Sequence, residues 1–223
     1  MIHRLCLLHP IDPRVDPRHP VELRLRALIA SVPRDFALVV VGVDAVGDLR
    51  PGRPVDVVVA GRTIAFLPVS RAGAGARAYA AGLVRRLPAL RRALRPGPAS
   101  LSVHDVTWMP AARLAGHPIV LVVHDDPRAG RVAGHLTLRE ALRETVALRL
   151  ATRIVGCDLG FVERCRDGHP ATAAKTEYLA FPVDLAAGAA APLGDEVRIT
   201  RLWERHRRLF DVQAVHRGRP AAA

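Results

Sequence analysis

Two stretches of this chain are apolar at consecutive positions rather than at alternate ones: FALVVVGV at residues 36–43 and IVLVV at 119–123. A strand with one face in water alternates apolar and polar side chains. A strand that is apolar throughout needs cover on both faces, and a parallel sheet sandwiched between helices supplies it. Parallel neighbours in turn require crossover connections, usually helical.

The rest of the chain supplies those crossovers. IHRLCLLH (2–9) predicts a first strand ending at His9, and the four prolines of PIDPRVDPRHP (10–20) forbid a continuous helix there. VELRLRALIASV (21–32) predicts a helix running up to Pro33. VDVVVAGRTIAFLPVS (55–70) predicts two short strands around Ala60-Gly61-Arg62, as an antiparallel excursion or a sheet edge. Residues 76–95 read as a helix broken or kinked at Pro88, 100–105 as a strand ending at His104-Asp105, and 107–116 as a short helix closing on Gly116. In HLTLREALRETVALRLA (135–151), Leu138, Leu142, Val146, Leu148 and Leu150 are the expected apolar positions, and Glu140 to Glu144 the solvated surface. His135 is expected to help cap this helix. A strand at 153–158, a helix at 159–167 and a strand at 175–185 complete the alternation. Repeated alternation of strand and helix predicts an α/β fold, a doubly wound, mostly parallel sheet with right-handed crossovers.

At 223 residues the chain suits one large domain, or one domain with a tail. AAGAAAPLGDE (186–196) reads as a low-complexity linker. In the following stretch Ile199, Leu202, Trp203, His206, Leu209 and Phe210 fall at helical spacing, so 197–215 is expected to be an amphipathic helix packing back on the domain, with His206 in that apolar contact. Residues 216–223 read as a disordered tail.

The formal charge of +12 creates a field that favours phosphates, acidic lipid surfaces or nucleic acid. Of 33 basic residues only Lys175 is a lysine. The arginines are scattered and aromatics make up only 4%, which argues against nucleic-acid recognition. Cys6, Cys157 and Cys165 share no C-x-x-C spacing; Cys6 and Cys157 lie in strand-like runs and read as small buried hydrophobes, and the set fits a reduced, cytoplasmic protein. MIHRLCLLHP is too short an apolar run for a signal peptide, and nothing approaches the roughly 18 apolar residues of a membrane span. The expectation is a cytoplasmic protein, at most peripheral at the inner membrane face.

Several chemistries lack their signatures. There is no G-x-G-x-x-G after the first strand, no P-loop, no G-x-S-x-G elbow, and no H-E-x-x-H or Cys/His zinc spacing. What remains is a set of polar residues at expected strand ends: His9 with Asp12, His104 with Asp105, and His124 with Asp125 and Asp126. In an open α/β sheet the carboxyl ends share one rim, so these histidines can converge on one crevice. An imidazole can bond to a sugar hydroxyl or phosphate oxygen, and a carboxylate accepts from sugar hydroxyls. Polar turns are also what any strand end carries, and a metal site would need geometry that spacing does not fix.

HPIDPR, FALVVVGVD, GRTIAFLPV, SVHDVTWMPAARLAGHPIVLVVHDD, ALRLATRIVGCD and KTEYLAFPVDL follow one another in the order of the N-terminal, Rossmann-like domain of family 4-like glycosyltransferases of the GT-B fold. The chain resembles that domain over about its first 185 residues. The resemblance implies transfer of a hexosyl group from a nucleotide sugar, as co-substrate, to an acceptor hydroxyl, with retention and with neither an obligatory metal nor another cofactor. It places His124 and Asp125 in the sugar or phosphate site with His104 nearby, and Glu22 in support. His9 and Asp126 complete the candidate substrate contacts. The acceptor would be a sugar or a lipid-linked molecule.

Two departures stand out. Where the family carries a Gly-Gly-hydrophobic-Glu loop this chain has HPVE, with His19 and Pro20 at the glycine positions and Glu22 retained. Proline has no amide to donate, and neither residue permits close backbone approach to a ligand. The second, nucleotide-sugar-binding domain and its distal Glu motif have no counterpart before RLWERHRRLFD, which resembles the family's returning C-terminal helix. The expectation is therefore an acceptor-side half, incomplete or weakly active alone. The competing expectations are a non-catalytic basic module docking on an acidic membrane or a partner chain, and a small hydrolase or metal-dependent enzyme using the His/Asp rim.

Overall fold

The computed structural model describes residues 3–33, 35–95, 99–126, 128, 136–168 and 170–179. The linker, helix and tail expected after residue 185, and His135 and His206, lie outside them.

Among the described residues eight strands form one sheet: β1 (His3–Leu8), β2 (Phe36–Asp44), β3 (Val55–Val59), β4 (Arg62–Arg71), β5 (Ala99–Val103), β6 (Ile119–Val123), β7 (Arg153–Gly156) and β8 (Thr176–Tyr178). Their order is β3-β4-β2-β1-β5-β6-β7-β8, and every pairing is parallel except β3 with β4. The chain winds outward from β1 in one direction through β2 and β4, and in the other from β5 to β8. The topological switch point therefore lies between β1 and β5. This is the doubly wound α/β architecture that the apolar strands require.

Both faces are covered, and the side-chain alternation of β1 shows how. Cys6 and Leu8 join the core beneath α2 (Gly75–Arg85), α3 (Leu87–Ala93), α4 (Met109–Arg113), α5 (Leu138–Leu150) and α6 (Leu159–Gly168). Leu5 and Leu7 join the opposite core, under α1 (Pro20–Ser31), with Leu25, Leu28 and Ile29. A short α7 (Pro170–Ala173), which the residue pattern did not anticipate, precedes β8. A Cβ on Gly82 would collide with the Val69 carbonyl, so α2 rests on β4 more closely than a larger residue allows.

The β3–β4 hairpin turns on two residues with positive φ, Ala60 at 49° and Gly61 at 74°, the mirror-image turn whose twist matches the flanking strands. It is both the antiparallel excursion and the sheet edge, but β4 is ten residues long rather than short. The break in the 76–95 helix falls at Arg86, so that Pro88 sits in the first turn of α3, where its missing amide costs nothing. The 107–116 helix is a 3₁₀ turn (Val106–Trp108) leading into α4, and Gly116 ends the segment at φ 79°.

The expectation for α5 holds at its last turn, where Leu148 and Leu150 pack against the core, and is overturned at Leu138, Leu142, Val146 and Glu144. Its sheet-facing side carries the small Ala147 and, just beyond the last turn, Ala151, together with Glu144, which is only 4% exposed. Leu138 and Leu142 point outward, 87% and 62% exposed. Glu144 can be buried because Arg164 of α6 donates to its carboxylate and Arg128 lies 3.7 Å away. The helix is capped by Thr137, in a box with Glu140.

Candidate functional site

The carboxyl ends of β1, β5 and β6, three adjacent strands at the switch point, carry His9, His104 and His124. Pairing of Leu8 with Val103 and of Val103 with Leu121 fixes the three ends relative to one another. The His104 amide donates to the Leu8 carbonyl at 3.3 Å, and the His9 amide to Val41 at 3.2 Å, which continues the ladder past each strand end.

Two of the histidines touch. His104 Nδ1 lies 2.9 Å from His124 Nε2, and the rings are near-parallel, 19° apart in plane with centroids 5.1 Å apart. His104 Nε2 lies 2.9 Å from Ser102 Oγ, an inward-facing residue of β5. The chain of bonds couples the tautomers. If Ser102 donates to His104 Nε2, His104 Nδ1–H donates to His124 Nε2, and His124 carries its proton on Nδ1. If the order reverses, His124 Nδ1 is a bare acceptor. Ser102 and His104 thus set what His124 can offer a ligand.

Burial keeps two of these imidazoles, His9 and His124, neutral. His124 is pushed from 6.5 down to about 4 by burial first, then by the positive charge of Arg24 and by His9 once that is protonated, against the pull of Asp125. His9 is likewise held at about 4, by burial first, with Asp105 and Glu22 opposing and His19 adding to the effect. His9 Nδ1 is buried without a hydrogen-bond partner among the described residues.

The carboxylates divide differently from the sequence expectation. Asp125 stays on the rim, its side chain 69% exposed, and accepts from Arg24 Nη1 of α1 at 3.1 and 3.3 Å. Asp126 turns away into the scaffold: Arg164 Nη2 donates to it at 2.6 Å and the Arg128 amide at 2.9 Å. Burial would raise its carboxyl, but these donors hold it below the ordinary 3.8. Glu22 completes the α1 cap, accepting from the amides of Arg18 at 2.6 Å and His19 at 3.2 Å, while His19 Nδ1 accepts from Val21. Histidine and proline at 19 and 20 therefore serve as helix cap and first-turn residue in this chain. Asp105 caps the 3₁₀ turn by accepting from Thr107 at 2.7 Å.

Asp12 does not pair with His9. It is buried with Asp44 around Arg14, which donates to both at 2.7 Å and to Asp48 at the same distance. This pins the loops after β1 and β2 together. Beside them lies a cavity of about 320 Å³, walled by Pro10, Pro13 and Pro17, floored by Ile29 and Val59, with Glu22 among its lining residues.

The structure thus brings His9, His104, His124 and Asp125 to one rim and assigns Asp126 to the scaffold and Glu22 to the α1 cap. Sequence reasoning missed Arg24 and Ser102. Nothing in the sequence separates Arg24 from the other arginines; Ser102, two residues before His104 on a strand, shares its face and was findable by period-2 alternation. Cys157 is near Arg24 and Asp125, but burial pushes its thiol up to about 12, so it is no nucleophile at neutral pH. Among the described residues no cluster of three or more His, Cys, Asp or Glu is arranged to hold a metal ion, and no helix is long and apolar enough to cross a membrane.

No protein-family model and no curated protein matches the chain. Among solved structures it is similar to a UDP-N-acetylglucosamine 2-epimerase from Rickettsia bellii, at 12% identity and a TM-score of 0.46, over 81% of this chain and 45% of that one. It is also similar to the E. coli trehalose-6-phosphate structure bound with UDP-2-fluoro glucose, at 14% identity and a TM-score of 0.43, over 85% of this chain and 52% of that one. The chain spans about half the length of each.

Proposed function

We propose that this chain is the acceptor-side half of a retaining, nucleotide-sugar-dependent glycosyltransferase of the GT-B type. The observation that carries the reading is the convergence of three histidines on the switch-point rim, His124 flanked there by the Arg24–Asp125 pair. Neutral His124 offers a nitrogen to a sugar hydroxyl or phosphate oxygen, in the protonation state that Ser102 and His104 impose. His9 brings a second, unpartnered nitrogen to the same rim. Asp125 accepts from sugar hydroxyls, and Arg24 beside it gives a phosphate oxygen a charged donor. His104, whose two ring nitrogens are engaged by Ser102 and His124, acts through His124 rather than on the ligand. The order of sequence motifs over residues 1–185 supports the same assignment.

In this reading a hexosyl group passes from a nucleoside-diphosphate sugar to a sugar or lipid-linked acceptor at the inner membrane face. The nucleotide is held by a second polypeptide segment closing over the rim, and the chain alone is incomplete or weakly active. The test is to titrate the labelled full-length chain with hexoses and nucleotide sugars while following the imidazole resonances of His9 and His124. Concerted shifts of both support the reading; no response to any sugar ligand counts against it.

A further inference from the structure

The outward face of α5 is the least expected surface of the molecule. Leu138, Leu142 and Val146 recur every fourth residue on the side of the helix opposite Glu144 and Ala147, and are 87%, 62% and 36% exposed. A surface helix ordinarily shows the reverse, leucines inward and glutamate outward. Burying Glu144 costs a pair of arginines to neutralise it, and what the inversion leaves is an apolar stripe facing solvent. Arg139 and Arg143 follow Leu138 and Leu142 by one residue and so lie beside them around the helix. Across from them α2 presents Arg77. Between α2, α4 and α5 runs a groove of about 570 Å³, whose lining among the described residues includes Leu142, Val146 and these three arginines, and no carboxylate.

We infer that this face seats on an anionic phospholipid surface, the stripe entering the headgroup boundary and Arg77, Arg139 and Arg143 pairing with lipid phosphates. The inference rests on the membrane-facing part of the reading above and names the surface responsible. Charge selects the occupant. An all-cationic rim around an apolar stripe is complementary to a layer of anionic headgroups over acyl chains. The chain's own stretch 197–215 carries Arg198, Arg201, Arg205, Arg207 and Arg208, so it would bring like charge to the groove. A second copy of this face would do the same. The orientation also suits the chemistry, because the first turns of α2 and α5 lie at the carboxyl end of the sheet, on the same side as the histidine rim.

Flotation of the full-length chain with phosphatidylcholine vesicles, with and without phosphatidylglycerol, tests this directly. The expected result is binding to anionic vesicles that weakens as salt rises, with little binding to neutral ones. Each basic side chain at an anionic surface contributes roughly five-fold, so Arg139→Gln with Arg143→Gln should weaken binding by roughly 25-fold. Leu138→Gln with Leu142→Gln should weaken it comparably. Both pairs are exposed, so thermal melts of the variants should match the parent and exclude misfolding as the cause. Unchanged vesicle binding in both double variants overturns the proposal, as does no binding by the parent. Concentration-dependent self-association, or capture of an acidic protein, that the leucine variant abolishes without any vesicle binding by the parent overturns it in favour of a protein partner. Vesicle binding should be unaffected by His124→Ala, so failure of the rim and failure of this surface are read separately.

Discussion

His104 Nδ1 sits 2.9 Å from His124 Nε2, and Ser102 Oγ sits 2.9 Å from the other nitrogen of His104. One buried imidazole at the rim is therefore wired through a second to a serine inside the sheet. A buried pair of this kind is stable only while one nitrogen of each contact carries the proton and the other does not.

Ser102→Ala removes the end of that chain. Loss of one buried hydrogen bond should cost about 1–2 kcal/mol of stability in chemical denaturation. Nitrogen-15 spectra of the imidazoles should show the tautomer balance of His124 altered although its own contacts are untouched. Ser102→Thr should keep the tautomer of the parent.

Stability should depend on pH in two separate windows. His9 and His124 are held at about 4, against an ordinary 6.5, so the unfolded chain binds their protons at higher pH than the folded one does. Their neutral burial contributes fully above pH 6.5 and is lost as pH falls towards 4, a change on the order of a few kcal/mol. His9→Gln with His124→Gln should flatten the denaturation midpoint across that window. Asp12, Asp44 and Asp126 are held below 3.8, by donors that outweigh their burial. Their contribution persists in the histidine variant and disappears only at still lower pH.

Arg24→Ala separates site from scaffold. The Arg24–Asp125 pair is partly exposed, so its loss should change stability by less than about 1 kcal/mol. The imidazole of His124 should titrate at higher pH than in the parent, because burial remains but a neighbouring positive charge has gone. Proton NMR titration of the two chains measures the difference.

Glu144→Ala tests the inverted helix. It leaves Arg164, whose side chain is 24% exposed, with Asp126 as its remaining carboxylate, and losing the charged hydrogen bond to Glu144 costs roughly 1.5–3 kcal/mol. Leu142→Ala, on the opposite face, should change stability by no more than about 0.5 kcal/mol. If the two costs were reversed, the orientation of α5 would be wrong.

The sheet was legible because its signal is redundant: Val39, Val40 and Val41 are each buried, on alternating faces, and no one-sided strand tolerates that run. The histidines were legible because parallel strands place their carboxyl ends on one rim whatever the details of register. The facing of α5 was not, since Leu138, Leu142 and Val146 have the spacing of a core stripe and only the tertiary partners Arg164 and Arg128 make Glu144 the buried residue. Asp125 and Asp126 are adjacent in sequence and alike in chemistry. What divides them is which arginine reaches each, Arg24 from α1 or Arg164 from α6, and that is a property of helix placement.

The most direct test of the rim is saturation-transfer NMR of the full-length chain with hexoses and with UDP- and GDP-sugars, repeated with His124→Ala. The account predicts transfer to the sugar protons of at least one of these ligands in the parent and its loss in the variant. No transfer to any hexose or nucleotide sugar, or transfer that survives His124→Ala, would contradict a glycosyltransferase rim built on His124.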